Sequence, residues 1–150
     1  MGSIEKEIGQ RRPFRNEHHE ALVNLLYTAN WCQDQIKALL KPHGVTMQQY
    51  NVLRILAGAD EPISTSIIRE RLLDKMSDAS RMVDRLHQKG WVTRKPCPAD
   101  KRLVDVSLSE EGQMVLMRLS DIEDSLDRIF AGLVPEEAQH LSDLLNKARD

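Results

Sequence analysis

The feature that most constrains the fold of this chain is a β-hairpin pattern placed between two helical patterns. Residues 91–94 and 104–108 are short runs rich in strand-forming residues, the second with strictly alternating apolar and polar side chains, and a polar, proline-containing segment joins them. Such runs on either side of a polar turn are typical of a hairpin. The chain is therefore expected to fold as helices around a small sheet, with basic side chains near the tip of the hairpin.

Helical patterns fill the chain before this hairpin. Apolar residues recur at helical spacing in segments that Pro42, Gly44, Gly58 and Gly90 bring to an end. With Asn16 and Thr46 as N-caps, the first two predicted helices span residues 16–41 and 46–58, and a third spans 65–73. A turn at 74–77 follows, and a fourth helix runs to about Lys89. The order helix, short turn, helix and hairpin predicts a mainly α fold, namely a winged helix-turn-helix with a two-stranded β wing.

Composition predicts one cytoplasmic domain. The chain has 150 residues, 41% hydrophobic but only 4% aromatic, which indicates a core of Leu, Ile, Val and Met. No apolar run is long enough to cross a bilayer, so no membrane contact is expected. The two cysteines do not have the spacing of metal ligands, and we expect no metal and no cofactor. Enzymatic activity is not indicated either, because the glycine-rich phosphate loop and the HExxH and GxSxG motifs are absent from the sequence.

Charge is distributed unevenly along the chain. Residues 63–108 contain ten Lys or Arg against six Asp or Glu, a net charge of +4. Residues 109–150 contain four against ten, a net charge of −6, and residues 1–62 are balanced at seven each. The middle third is therefore the part of the surface expected to meet phosphate groups.

The predicted fourth helix has one apolar and one polar side. Ala79, Val83 and Leu86 share the apolar side, whereas the opposite side is free to contact DNA bases. On that side Arg81 can bond guanine through two hydrogen bonds, and Asp78 can accept one from a cytosine amino group. The candidate contacts from this helix are Ser77, Asp78, Ser80, Arg81 and Arg85. Asp84 would be repelled by phosphate, and we expect it to pair with Arg81 or Lys89 or to point away.

The hairpin adds a second group of basic side chains. Arg94, Lys95, Lys101 and Arg102 are expected to cluster in its distal part, where a guanidinium can enter a minor groove and respond to the width of that groove. Asp100 stands two residues before Arg102 and can orient it by a charge-assisted hydrogen bond. The hairpin is thus predicted to contact DNA beside the helix.

These residues resemble the MarR (multiple-antibiotic-resistance regulator) family of bacterial transcription factors. The resemblance is carried by Ser80-Arg81, Gly90-Trp91-Val92, Asp100-Lys101-Arg102 and Ser109 with Gly112. It implies that helix 75–89 is the recognition helix, that Arg102 is the minor-groove arginine and that Asp100 supports it. One departure concerns the turn before that helix, where either Asp74 or Ser77 has to act as the N-cap. The implied organisation is one chain, 1–150, with dimerisation helices at 16–45 and 109–150 and a DNA-binding region at 46–108.

The last third of the chain predicts a homodimer from its own pattern. Ser109 can cap a helix with an apolar stripe at alternating spacings of four and three, and Pro135 opens a further helix with a second stripe. The first stripe is Val115, Leu119, Ile122, Leu126, Ile129 and Leu133, and the second is Leu141, Leu144, Leu145 and Ala148. These stripes either face a partner or pack within the monomer. Only a dimer places two recognition helices one turn of DNA apart, on a pseudo-palindromic operator.

Regulation is indicated less directly. The resemblance suggests a small aromatic effector, with Tyr27, Trp31, Met47 and Tyr50 as candidate contacts that are alternatively plain core residues. Some relatives sense oxidants through a cysteine, which makes Cys32 and Cys97 candidate redox sites. The expected function is that of a sequence-specific regulator of transcription, a repressor that binds double-stranded DNA. The alternatives are a redox-sensing regulator and a winged helix used only for protein contacts.

Overall fold

A computed structural model describes residues 2–150 of the chain. The chain divides into two compact units, the first ending at Ile36 and the second running from Lys37 to Asp150. The helices are α1 (Ile4–Glu7), α2 (Glu17–Leu40), α3 (Met47–Ala57), α4 (Thr65–Arg71), α5 (Ala79–Gln88), α6 (Glu110–Leu119), α7 (Glu123–Asp127) and α8 (Pro135–Lys147). In the part of the chain described, no helix is both long enough and apolar enough to cross a membrane.

The helix starts follow from side chains that cap the free backbone N–H groups. Thr46 forms a complete capping box with Gln49 at the start of α3, since each side chain accepts a hydrogen bond from the other residue's backbone N–H at 3.1 Å. Asn16 caps α2 in the same manner, by accepting from the N–H of His19 at 2.9 Å. The helices predicted at 16–41 and 46–58 are confirmed within one or two residues. The short helix α1 was not predicted.

A small antiparallel sheet completes the second unit. Its strands are β1 (Ile63–Ser64), β2 (Val92–Pro96) and β3 (Val104–Leu108), in the order β1-β3-β2. The hairpin of β2 and β3 is confirmed, with Arg94 opposite Val106 in the register. The prediction of two strands is incomplete, because Ile63 and Ser64 add a third strand against Val106 and Asp105. A strand of two residues is too short to show an alternating pattern.

The core of the second unit joins α5 and the sheet to the helices on either side. Each of its fully buried side chains is aliphatic, as the low aromatic content predicted. The largest are Leu40, Leu53, Ile68, Leu86, Leu119, Val52, Val83 and Val106. Burial of a side chain of this size stabilises the fold by about 1.5–3 kcal/mol relative to its exposure to water. The helix α5 and the wing are therefore attached to one packed body.

The C-terminal stripe differs from its prediction. The predicted continuous helix is interrupted by 3-10 turns at Ser120–Ile122 and Arg128–Phe130. Val115, Leu119 and Ile122 are buried in the single chain, where α6 packs against α3 and β3. The first half of the stripe is thus core and not a surface for a partner helix. Leu141 and Leu144 on α8, in contrast, are exposed.

Gly112 is the position where a single added methyl group should damage this fold most directly. A Cβ at Gly112 would overlap the carbonyl oxygen of Trp91 and lie 3.3 Å from the Leu108 side chain. Gly112→Ala should therefore lower the free energy of unfolding by about 3 kcal/mol, since backbone atoms cannot yield as a flexible side chain does. Urea unfolding at fixed protein concentration measures the loss.

Gly132→Ala is the matched control for this prediction. A Cβ at Gly132 meets no atom within 4 Å. We expect this variant to unfold within about 0.5 kcal/mol of the original chain. Equal stabilities of the two variants would contradict the steric role of Gly112.

Candidate nucleic-acid interface

The helix α5 buries one side and exposes the other. Ala79, Met82, Val83 and Leu86 are buried, which confirms the apolar side predicted from the sequence. The exposed side carries Ser80, Arg81, Asp84, Arg85, His87 and Gln88. An exposed row of hydroxyl, guanidinium and amide groups on a helix about 10–12 Å across has the dimensions and the chemistry to enter a DNA major groove.

The start of α5 corrects the sequence prediction. The helix begins at Ala79, and its N-cap is Asp78, whose carboxylate accepts a hydrogen bond from the backbone N–H of Arg81 at 3.1 Å. The expectation that Asp74 or Ser77 acts as the cap is wrong, and so is the start at 75 that the resemblance implied, whereas the turn predicted at 74–77 is confirmed. Three cap-type residues stand within five positions here, and only the path of the backbone decides between them. One Asp78 oxygen is therefore committed to the helix start.

Asp74 and Ser77 instead shape the turn between α4 and α5. The Asp74 carboxylate accepts from the backbone N–H of Met76 at 2.9 Å and from the Ser77 hydroxyl at 3.0 Å. The N–H of Leu73 donates to the side-chain oxygen of Asn51 at 3.1 Å, which ties the turn to α3. Ser77 thus lies outside the helix on which it was predicted, immediately before the N-cap.

A basic groove beside this turn was missed in the sequence analysis. It has a volume of about 460 Å³ and is lined by Ser66, Arg69, Glu70 and Lys75. The ammonium group of Lys75 donates to the backbone carbonyl of Glu70, which holds the charge over the end of α4. Hydroxyl, guanidinium and ammonium groups are the usual donors to DNA phosphates. The excess of positive charge in residues 63–108 was the available indication, but it did not single out these residues.

The tip of the wing carries a well-formed ion pair. The guanidinium of Arg102 donates to both oxygens of the Asp100 carboxylate, from Nε at 3.0 Å and from Nη2 at 2.9 Å. This pairing holds the pKa of Asp100 below its usual value and raises the pKa of Arg102. The Arg102 side chain is nevertheless 89% exposed. The expected orientation of Arg102 by Asp100 is present in the structure, and Lys101 and Lys95 are exposed nearby in the chain.

Arg94 lies elsewhere than predicted. It is the third residue of β2, and its guanidinium bonds the Asp84 carboxylate and lies 3.2 Å from Nδ1 of His87. Both partners belong to α5. Asp84 was expected to pair with Arg81 or Lys89 or to point away, and it pairs with Arg94 instead because the hairpin returns this arginine to the side of the helix. Arg94 therefore joins the wing to α5 at the base of the hairpin instead of extending its tip.

The candidate effector contacts fall into both units. Tyr27 and Trp31 line a cavity of about 390 Å³ in the first unit, together with Ile4, Glu7 and Asn24 among others. Met47 and Tyr50 belong to the second unit and are half-buried. Burial is the main reason why the pKa of Tyr50 is raised. A role of any of the four in ligand binding stays a prediction.

The two cysteines are free thiols and half-buried. Burial raises the pKa of the Cys32 thiol, which lowers the fraction of reactive thiolate. Cys97 directly follows β2 in the wing, and its backbone N–H donates to the carbonyl of Leu103 at 3.0 Å. The geometry at Cys32 does not favour the redox-sensing alternative.

Comparison with known sequences points to one family. A family model described as MarR family matches residues 43–103, which include α3, α4, α5 and most of the wing. The chain is 34% identical over 130 residues to the transcriptional regulator HosA of Escherichia coli O111:H-, a span of 85% of this chain and 90% of HosA. It is 32% identical over 107 residues to the regulator PecS of Dickeya dadantii, covering 69% of this chain and 64% of PecS.

Solved structures agree with this comparison. A mutant of MarR from Escherichia coli in complex with operator DNA superimposes with a TM-score of 0.77 at 27% identity, covering 98% of this chain and 99% of that one. AbsC of Streptomyces coelicolor, a MarR family regulator, has the same fold with a TM-score of 0.79 at 21% identity, over 92% of this chain and 96% of its own. The protein is thus a member of the MarR family of transcriptional regulators.

Proposed function

We propose that this protein is a sequence-specific DNA-binding repressor that acts as a homodimer on a pseudo-palindromic operator. The strongest support for this proposal is the way the structure presents α5 and the wing together. The exposed side of α5 and the exposed Arg102 belong to one packed unit, and the Arg94 ion pair joins the wing to α5. A helix for the major groove and an arginine for the adjacent minor groove are therefore presented together.

The exposed side of α5 is more favourable for binding the negatively charged DNA backbone than its sequence suggested. Asp84 is an acid in the middle of the exposed side, and its pairing with Arg94 neutralises it. Arg81 and Arg85 are then the basic groups of that side; Arg81 Nε lies 4.0 Å from an Asp78 carboxylate oxygen, but the Arg81 side chain is 71% exposed. We infer that Ser80, Arg81 and Arg85 contact bases or phosphates in the major groove.

The wing is proposed to supply the second set of contacts. Arg102 can enter the minor groove while Lys95 and Lys101 meet the flanking phosphates. Because Asp100 bonds Arg102 through both oxygens, fewer rotamers have to be lost when the arginine enters the groove. Asp100 thus acts as a positioning residue and not as a contact to DNA.

Exposed apolar side chains support the dimer. Leu22, Leu25 and Leu26 lie on one side of α2, and Leu26 is 57% exposed. On the second unit, Leu141 and Leu144 of α8 are also exposed. Covering such side chains with a partner removes them from water at a gain of about 25 cal/mol per Å². We propose that the segments 16–45 and 109–150 provide the dimer contacts.

We also propose that a small aromatic ligand releases the operator. The cavity beside Tyr27 and Trp31 has a volume of about 390 Å³, and Asn24 and Thr28 add polar groups to its wall. Stacking surfaces with a few hydrogen-bonding groups are the usual chemistry of a site for an aromatic compound. Titration of the bound operator with phenolic compounds tests this step, and retention of the DNA at saturating ligand would exclude it.

Arg81 should discriminate between DNA sequences. Binding to a duplex selected from a random pool should weaken steeply as salt rises, because phosphate contacts release counterions. Arg81→Ala should cost about 1–3 kcal/mol on the selected duplex and much less on random DNA, if it bonds guanine through two hydrogen bonds. Fluorescence anisotropy at several salt concentrations measures both effects. Arg11→Ala, at an exposed arginine before α2, should bind as the original chain does.

Arg102 and Asp100 should differ in effect although they form one ion pair. Arg102→Ala should weaken binding most on duplexes with narrow A·T minor grooves. Asp100→Asn keeps the Arg102 guanidinium but removes one negative charge and the two-oxygen pairing that orients it. Its loss of affinity should therefore be smaller than that of Arg102→Ala. Anisotropy titrations on A·T-rich and G·C-rich duplexes compare the variants. A larger loss for Asp100→Asn would show that the carboxylate does more than position Arg102.

The dimer should depend on the exposed leucines of α2. Analytical ultracentrifugation at micromolar concentration should find the original chain as a dimer and Leu26→Glu shifted toward monomer, since a buried carboxylate without a partner is costly. Gln35→Glu adds the same charge on the other side of the helix and should remain dimeric. A monomeric original chain would refute the proposed mode of binding.

A further inference from the structure

The turn between α4 and α5 exposes two large apolar side chains. Leu73 is 86% exposed and Met76 is 92% exposed, more than any other large hydrophobic side chain of residues 2–150. Turns usually carry Gly, Pro, Asn, Asp or Ser at such positions. Single exposed hydrophobic residues are common and need no explanation, but here two stand on one short turn.

This turn is built to hold its shape. Asp74 accepts hydrogen bonds from the backbone of Met76 and from the Ser77 hydroxyl, and Asn51 accepts from the backbone of Leu73. The hydrogen bonds from the backbone N–H groups of Leu73 and Met76 fix the positions of their Cα atoms. A partner that covers Met76 therefore has to order only the side chain, which reduces the entropy lost on binding.

The surroundings of Met76 favour DNA as that partner. Met76 is four residues before Ser80, so their Cα atoms lie within about 15 Å of each other. The groove lined by Ser66, Arg69, Glu70 and Lys75, with two basic groups against one acidic group, adjoins the same turn. A protein partner would have to cover the apolar pair among these positive charges, whereas phosphates on both sides of a major groove complement them.

DNA offers few apolar groups to such side chains. On the edges of the bases in the major groove, the C5 methyl group of thymine is the apolar one. Methionine is unbranched and polarizable, so it adapts well to a small methyl surface. We propose that Met76, with Leu73 beside it, contacts thymine methyl groups next to α5 and so helps to select the operator. This inference rests on the proposed binding of α5 in the major groove.

Replacement of thymine by uracil tests the contact directly, because it removes only the C5 methyl group. A duplex selected from a random pool is compared with copies in which single thymines of one half-site are replaced by uracil. The original chain should bind at least one of these copies about fourfold more weakly, the value expected for one methyl group removed from water. Met76→Ala should bind the thymine duplex more weakly and should not distinguish it from that uracil copy.

Two control variants complete the experiment. Met76→Leu keeps an apolar side chain and should retain the discrimination, and Ile8→Ala removes an exposed apolar side chain outside the DNA-binding and dimerisation segments and should change nothing. Full discrimination by Met76→Ala, or an equal loss on both duplexes, would overturn the thymine contact while leaving DNA binding intact; unchanged affinity would point to a protein partner instead. Failure of the original chain to bind any duplex at low salt would refute the proposed function itself.

Discussion

The structure depends on a close approach of the backbone where the chain leaves α5 and where it enters α6. Gly90 has a φ of 78°, in the left-handed region, which turns the chain out of α5. The N–H of Ser109 then donates to the carbonyl of Trp91 at 3.1 Å, and the Ser109 hydroxyl donates to the carbonyl of Gly90. Gly112 has to lack a side chain because the carbonyl of Trp91 occupies its space. The hairpin is therefore closed at its base by the same contacts that start α6.

The ion pair of Arg94 with Asp84 adds a second link between the wing and α5. It lies near the base of the hairpin, so it restrains the wing without reaching the tip. The basic residues of the wing accordingly divide into two groups. Arg94 pairs with Asp84 of α5, whereas Arg102 keeps an exposed guanidinium that Asp100 orients. Surface ion pairs of this kind contribute little stability, and their importance here lies in geometry.

Local patterns in the sequence predicted the local structure well. Asn16, Thr46 and Ser109 were expected as helix caps and are found as such, because a cap is decided within about four residues. The predictions that failed concern contacts between residues distant in sequence, or a choice among several residues that could each act as a helix cap. Asp84 and Arg94 meet only because a hairpin intervenes, and Asp78 competes with two other cap-type residues. The periodicity of Val115 and Leu119 showed which side of α6 is apolar but could not show whether α3 or a partner covers it.

The burial of the C-terminal segment changes along its length, and this change affects how motion can pass through it. The C-terminal segment is core at its beginning, where Val115 and Leu119 are buried, and exposed at its end, where Leu144 is 49% exposed. In the proposed dimer, a partner that contacts α8 would be connected through the C-terminal segment to the packing of α6 against α3 and β3. Short 3-10 turns within helical segments are frequent at hinges, and two of them lie between α6 and α8. A change in how two protomers meet would act first at these turns, and beyond them it would move α6 and the wing as one packed body.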